Sequence, residues 1–256
     1  MAQSSVTEWD SVAIMDGGER VTHLYPNDCY YAHLSIYHFA LQFCRDAVVL
    51  DAGSGAGYGA AYLAEHGALF VHGVDVSAKA VAFSQASFQR PNLDYQARDL
   101  SVNLDFERDT FDLVFSSNVL EHVPDVCTFL QQVVSAMKPG ATMVLAVPPI
   151  LNIVAQADNL SNLYHLNIWS PRQWHHILSK YFGTIAYYEH HPRPGLLPDF
   201  ANLPEETTIS EDDFEFIECP LAMIDRAPTM TAVFLLGKPH RDPPPAADAL
   251  TFIDQS

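Results

Sequence analysis

The sequence predicts an α/β protein built on a mostly parallel sheet with helices on both faces. Two observations carry that prediction, and a third limits its size. Strand-length apolar runs alternate with helical segments between residues 48 and 147, the rhythm of parallel strands joined by crossover helices. The first run ends in a glycine-rich turn that opens onto a helical pattern, "VVLDAGSGAGYG" from Val48 to Gly59. A chain of 256 residues is long enough for one large domain and short for two.

Each element follows in order. Residues 1–18 carry no periodic pattern and are expected to be flexible. In "AHLSIYHFALQFC", His33, Ile36, Tyr37, Ala40, Leu41 and Cys44 share one helical stripe, so residues 19–46 read as a helical lid. "AVVLDAG" is a buried strand and "YGAAYLAEHG" a helix ending at Gly67. "LFVHGVD" is a second strand ending at Asp75, and Ser77 can cap the helix "AKAVAFSQASF". "LDYQARD" is a short third strand and "FDLVFSS" a fourth. The helix "VCTFLQQVVSAMK" follows, stopped by Pro139-Gly140, and "TMVLAVPP" is a fifth strand. Residues 47–149 thus form a ligand-binding core, with the ligand expected beyond the carboxyl ends of the strands.

After Pro149 the rhythm changes. "LNIVAQADNLSNLYHLNIW" reads as loop, and a Ser170-Pro171 helix start leads into "RQWHHILSKYF". Two late strands, "GTIAYYEHH" and "TMTAVFLLGK", are separated by a Pro-rich, acidic insertion that reads as solvated loop. Residues 150–238 are the acceptor-side segment. The Pro-rich tail, 239–256, is expected to be extended or disordered, or to pack on a partner.

Thirteen Lys plus Arg against 31 Asp plus Glu give a formal charge of −18. That field repels polyanions and argues against a nucleic-acid substrate. The polar, acidic start resembles no secretory signal, and no apolar run is long enough to span a bilayer, so a cytoplasmic protein is expected. Four cysteines show no CxxC spacing. The pairs His175-His176 and His190-His191 lack the spacing that puts two imidazoles on one helical face, so no metal is expected.

The glycine loop admits two ligands. A dinucleotide reading can use Gly55, Gly57 and Ala60, with Asp75 as the distal acid. It places Asp51 beside a pyrophosphate, where like charges repel. S-adenosylmethionine has no phosphate and carries an ammonium and a sulfonium, so an acid ending strand one becomes attractive. Asp75, ending strand two, suits a ribose diol as a double acceptor.

Asp51 to Gly57, then "GVDVS", "ARDL", "FDLVFSSNVLEHVPD" and "MKPGATMVLAVP", resemble the ordered motifs of class I S-adenosylmethionine-dependent methyltransferases. The resemblance runs from about Gly18 to Phe182. It implies a Rossmann-like three-layer sandwich with a mostly parallel seven-stranded sheet, an amino-terminal helical lid and an insertion between the last two strands. It further implies S-adenosyl-L-methionine as cofactor. Asp51, Gly53, Ser54 and Gly55 would then contact the methionine portion, and Asp75 with Val76 the ribose and adenine edge. Asp99 and Leu100 would meet the adenine, while Asn118 and Val119 line the cofactor's centre. "GER", with Arg20, and "HLSIY" resemble the lid of a subset of these enzymes, with His33 and Tyr37 over the methionine end; that subset often has a basic residue where Ile36 stands.

Methyl transfer is an in-line displacement that needs positioning and exclusion of water. Tyr25, Tyr30, Tyr31, Tyr37 and Tyr58 fall on the lid and first loop, either as packing residues or as walls for cofactor and acceptor. Tyr58 is expected to contact the cofactor. A neutral oxygen acceptor needs a base; His122 and His165 are the candidates, against loop-supporting roles for each. Trp169 and Trp174 wall the same region or anchor the next helix. The leading expectation is methylation of a small molecule at oxygen or nitrogen, in natural-product or sugar tailoring by analogy. Protein methylation, a non-catalytic S-adenosylmethionine sensor or partner subunit, and a dinucleotide-dependent oxidoreductase stand behind it.

Overall fold

The computed structural model describes residues 20–102, 105–226 and 228–244. The flexible start expected at 1–18, including Gly18 of the lid motif, and the tail from 245 onward lie outside the described residues.

Eight strands form one sheet in the order β3-β2-β1-β4-β5-β8-β6-β7. They are β1 (Val48–Ala52), β2 (Phe70–Asp75), β3 (Leu93–Ala97), β4 (Phe111–Ser117), β5 (Met137–Val147), β6 (Phe182–Pro192), β7 (Phe214–Cys219) and β8 (Ala232–Pro239). The pairings set β1 to β6 running one way and β7 and β8 the other. The sheet is therefore mostly parallel. After β3 the chain crosses back to the other side of β1, so strand order reverses between β1 and β4, where ligands of such sheets bind.

Both faces of the sheet are covered because each strand points side chains alternately up and down. Val49 of β1 joins a core with Leu113, Phe115, Leu63 and Val81, under α1 (Asp28–Ala40), α2 (Tyr58–Glu65) and α3 (Ala78–Ser87). Leu50 and Ala52 join the opposite core, under α4 (Val126–Ala136) and α6 (Pro171–Leu178). There Phe129, Leu130, Val133, Trp174 and Ile177 are buried; full burial of such a side chain contributes roughly 1.5–3 kcal/mol. Polar side chains start the helices: Asn27 caps α1, Ser77 caps α3, Asp125 caps α4, and Ser170 with Gln173 forms a capping box at α6.

Three expectations need correction. The sheet has eight strands because the acidic insertion contributes β7, which pairs antiparallel along the outer edge of β6. In β7, Phe214 and Cys219 at the two ends are buried while Ile217 and Glu218 between them are exposed, the partial burial of an edge strand. The stretch read as loop after β5 holds a helix, α5 (Ile153–Ser161), started by Asn152 accepting from the Val154 and Ala155 amides. The helix before β5 stops at Ala136, ahead of Pro139-Gly140. Those two residues fall where the β4–β5 register shifts, between the Phe111↔Met137 and Leu113↔Thr142 pairs. Of the tail, the described residues to 244 follow β8 without regular secondary structure, the His240 amide donating to the Tyr181 carbonyl and Arg241 pairing with Asp109 at 2.7 Å.

Candidate active site

A cleft of about 860 Å³ opens at the carboxyl ends of β1, β2, β4 and β5, between α1 and the segment that follows α5. Its floor is the turn after β1. Gly53 has φ +93°, and a Cβ there would come within 2.3 Å of Val119, so the turns after β1 and β4 touch only because this residue lacks a side chain. Gly59, in the first turn of α2, lies so close to the Tyr37 ring that a Cβ would sit 2.0 Å from it. That absence lets the lid helix lay Tyr37 over β1, where its ring stacks on Phe115 at 4.0 Å.

Tyr37 is held there by Asp51. Its hydroxyl donates to both carboxylate oxygens at 3.3 Å. Asp51 is only 1% exposed and lies beneath the cleft, outside the residues that line it. Burial pushes its carboxyl up to about 8; the Tyr37 hydroxyl opposes the rise, and the nearby Asp75 adds to it. Asp75 is fixed by the backbone: the Gly55 amide donates to Oδ2 at 3.0 Å and the Ser77 amide to Oδ1 at 2.8 Å. Arg20 reaches the same carboxylate at 3.4 Å.

The other cofactor candidates divide by position. Arg20, His33, Tyr37 and Tyr58 line the lid side of the cleft, and Gly53, Ser54, Gly55, Asp75 and Val76 its floor. Burial pushes the His33 imidazole down to about 4, so it is neutral at physiological pH. Asn118 and Val119 line the far wall; Asn118 adopts φ +51°, a left-handed conformation that Asn tolerates. Asp99 and Leu100 do not line the cleft. Asp99 accepts from the Ser101 amide and hydroxyl, and Leu100 is buried in the α4-side core. Among the tyrosines, Tyr30 packs on Tyr58 at 4.9 Å and on Tyr31 at 5.2 Å, behind the wall, while Tyr25 is exposed. Trp169 packs on the buried Trp174 at 4.6 Å, and neither lines the cleft.

The two candidate bases meet on the acceptor side, their rings 4.8 Å apart. Backbone bonding brings them together: the Leu166 and Asn167 amides donate to the Glu121 carbonyl at 2.7 and 3.0 Å. The Asn167 side-chain amide then donates to the Leu120 and Val123 carbonyls. The turn after β4 and the segment after α5 are thus stitched together. The His122 Nδ1 lies 3.0 Å from the Tyr164 carbonyl, which can only accept, so Nδ1 carries the proton and Nε2 the lone pair. The His165 Nδ1 stands likewise 2.6 Å from the Asn159 side-chain oxygen.

Sequence reasoning left out Cys29, Ser117, Glu121 and the stretch Leu163, Tyr164 and Leu166, all of which line the cleft. Leu163 is 91% exposed; a run of apolar residues kept out of the core is a sign of a binding surface that periodicity alone does not separate from loop. Spacing within a single segment does not reveal a cluster made by two, and the fold sets His165 beside Glu121 and His122 from a different segment, with one ligand atom of each within 4.8 Å of the others.

Residues 50–145 match the family model described as "Methyltransferase domain". The chain is 37% identical over 97 residues to the ubiquinone biosynthesis O-methyltransferase of Coxiella burnetii, covering 37% of this chain and 41% of that protein. It is 33% identical over 150 residues to the enzyme of the same name from Paramagnetospirillum magneticum, covering 54% and 58%. The chain therefore spans less than two thirds of the curated relatives it matches. Among solved structures, a methyltransferase in complex with the Trm112 methyltransferase activator of Haloferax volcanii superposes with TM-score 0.61 at 23% identity, over 82% of this chain and 91% of that one. An S-adenosylmethionine-dependent methyltransferase from Mesorhizobium loti gives 0.56 at 21%, over 80% and 97%. At such identities these two structures speak for the fold alone.

Proposed function

Because the chain belongs to the class I S-adenosylmethionine-dependent methyltransferases, we propose that it transfers the cofactor's sulfonium methyl to an oxygen of a small molecule. The observation that carries this reading is the pair of carboxylates under and beside the glycine turn. Asp51 lies buried beneath it and Asp75 is fixed at the end of the next strand. Together they favour a ligand bearing an ammonium, toward which Asp51 can ionise, and a ribose diol, for which Asp75 is a double acceptor. Oxygen as acceptor is supported by the O-methyltransferases among the relatives.

S-adenosylmethionine held there would supply an activated methyl, which an acceptor oxygen would take in line as the carbon–sulfur bond breaks, leaving a neutral thioether. Positioning and water exclusion supply most of the acceleration. The lid helix covers the cofactor end through Tyr37, and the segment from Leu163 to Leu166 walls the acceptor end with apolar side chains. The acceptor hydroxyl proton passes to an imidazole Nε2, that of His122 or His165, each oriented through its Nδ1.

A labelled-methyl assay over phenols, sugar hydroxyls, amines and a peptide pool tests this reading, together with calorimetry for S-adenosylhomocysteine and NAD. Turnover on hydroxyl acceptors and micromolar-class binding of S-adenosylhomocysteine are expected. Binding of NAD without S-adenosylhomocysteine would overturn the cofactor; turnover on amines or peptides alone would overturn the acceptor. Cofactor binding with no turnover on any acceptor would make the chain a sensor.

A further inference from the structure

We propose that Glu121, His122 and His165 form a binding site for a divalent transition-metal ion at the acceptor end of the cleft. One ligand atom of each residue lies within 4.8 Å of the others. All three residues line the cleft, so an ion held by them would face the space beyond the cofactor's methyl. Two imidazoles and a carboxylate are a donor set suited to zinc, cobalt, iron or manganese, and less to magnesium or calcium, which take mostly oxygens.

A second, independent feature is how the rings are held. Each histidine turns Nδ1 toward an oxygen that can only accept, the Tyr164 carbonyl at 3.0 Å and the Asn159 side chain at 2.6 Å. Both rings are thereby fixed in the tautomer whose Nε2 bears the lone pair. This is the outer-shell arrangement by which proteins orient metal-binding imidazoles. The His122 Nε2 stands 3.8 Å from a Glu121 carboxylate oxygen, beyond hydrogen-bond length. The Glu121 side chain is 3% exposed, and the bonds from Leu166 and Asn167 to its carbonyl hold the two loops in register.

Three protein donors leave coordination positions open. An acceptor hydroxyl bound there would lose its proton more readily, to water in the cleft, because the cation stabilises the oxyanion that attacks the methyl; with both Nε2 lone pairs on the ion, this would take the place of an imidazole base. Only this consequence rests on the methyl-transfer reading; ion binding does not.

The test uses the full chain, treated with EDTA and dialysed, without cofactor or acceptor. Zinc chloride is titrated by calorimetry and cobalt chloride by visible absorption. One ion per chain and ligand-field bands in the cobalt spectrum are expected. His122→Ala, His165→Ala and Glu121→Gln should each weaken zinc binding by about a hundredfold or more, and Asn159→Ala by about tenfold through the lost Nδ1 partner. His66→Ala, on an exposed residue at the end of α2, should leave it unchanged. Thermal melts of the histidine variants separate a lost site from a lost fold, and both substitutions replace half-buried rings that the fold tolerates losing better than Glu121. No stoichiometric ion in the unmodified chain, or zinc affinity unchanged in both folded histidine variants, would overturn the site. Methyl transfer unaffected by EDTA would overturn the role of the ion while leaving the methyltransferase reading intact.

Discussion

Burial at the end of β1 leaves the ligand-free protein holding the Asp51 carboxyl mostly protonated near neutral pH, since it titrates at about 8. The sign of the linkage follows. The folded-state value lies above the unfolded one, so the native state binds more protons between roughly pH 4 and 8, and this group's contribution to stability falls as pH rises through that window. An ammonium placed near the carboxylate reverses the preference and expels the proton on binding. Affinity for S-adenosylhomocysteine should therefore rise from pH 6 to 8, by at most about tenfold per unit, and calorimetry in buffers of different ionisation enthalpy should detect the released proton. Asp51→Asn should flatten that dependence and stabilise the ligand-free chain at pH 8 by about 1–3 kcal/mol in urea titrations. A retained slope would assign the proton to another group. Asp75→Ala removes the acceptor oriented by the Gly55 and Ser77 amides and should weaken cofactor binding by about 1–3 kcal/mol. Unchanged affinity would refute the ribose assignment.

Among the elements, those from β1 to β5 were legible because their pattern is set by burial on both faces. Val49 and Leu50 of β1, Leu113 and Val114 of β4, and Val144 and Leu145 of β5 are all fully buried, so the centres of these three runs are apolar on both faces. The elements that escaped reading lack that cause. No residue of α5 is buried, so no stripe marks it as a helix. In β7 only Phe214 and Cys219 are buried, and its acidic neighbours resemble loop. The site divides the same way. Asp51 and Asp75 stand at strand ends and could be picked out by position. The encounter of His165 with Glu121 depends on bonds between two loops and leaves no trace in spacing. Asn167 is the residue that makes this encounter, with two carbonyl partners across the gap. Asn167→Ala should cost about 1–2 kcal/mol of stability and raise the acceptor KM more than the cofactor KM. Equal changes in both would mean that the clamp serves the whole cleft.

At the scale of the whole molecule, the insertion and the lid are joined before any ligand arrives. Asp28, in the first turn of α1, accepts from the Asp199 amide at 2.9 Å and from the Asn202 side chain at 3.0 Å, and Thr207 donates to it as well. The lid helix is thus anchored to the insertion at one end and, through Tyr37, to β1 in its middle. A cofactor bound between lid and sheet bridges the two, so its binding energy should appear as global stability. At about one hundred times its dissociation constant, S-adenosylhomocysteine should contribute about 2.7 kcal/mol, a rise in melting temperature of roughly 5–10 °C for a domain of this size. Because Asp51 must ionise, the rise should be larger at pH 8 than at pH 6, and Asp51→Asn should remove that difference. Asp28→Ala frees one anchor while leaving the cleft residues in place; it should lower the melting temperature of the ligand-free chain more than that of the complex, since the ligand restores the closure that the anchor provided. An equal loss in both states would mean that the insertion supports the fold and takes no part in holding the lid.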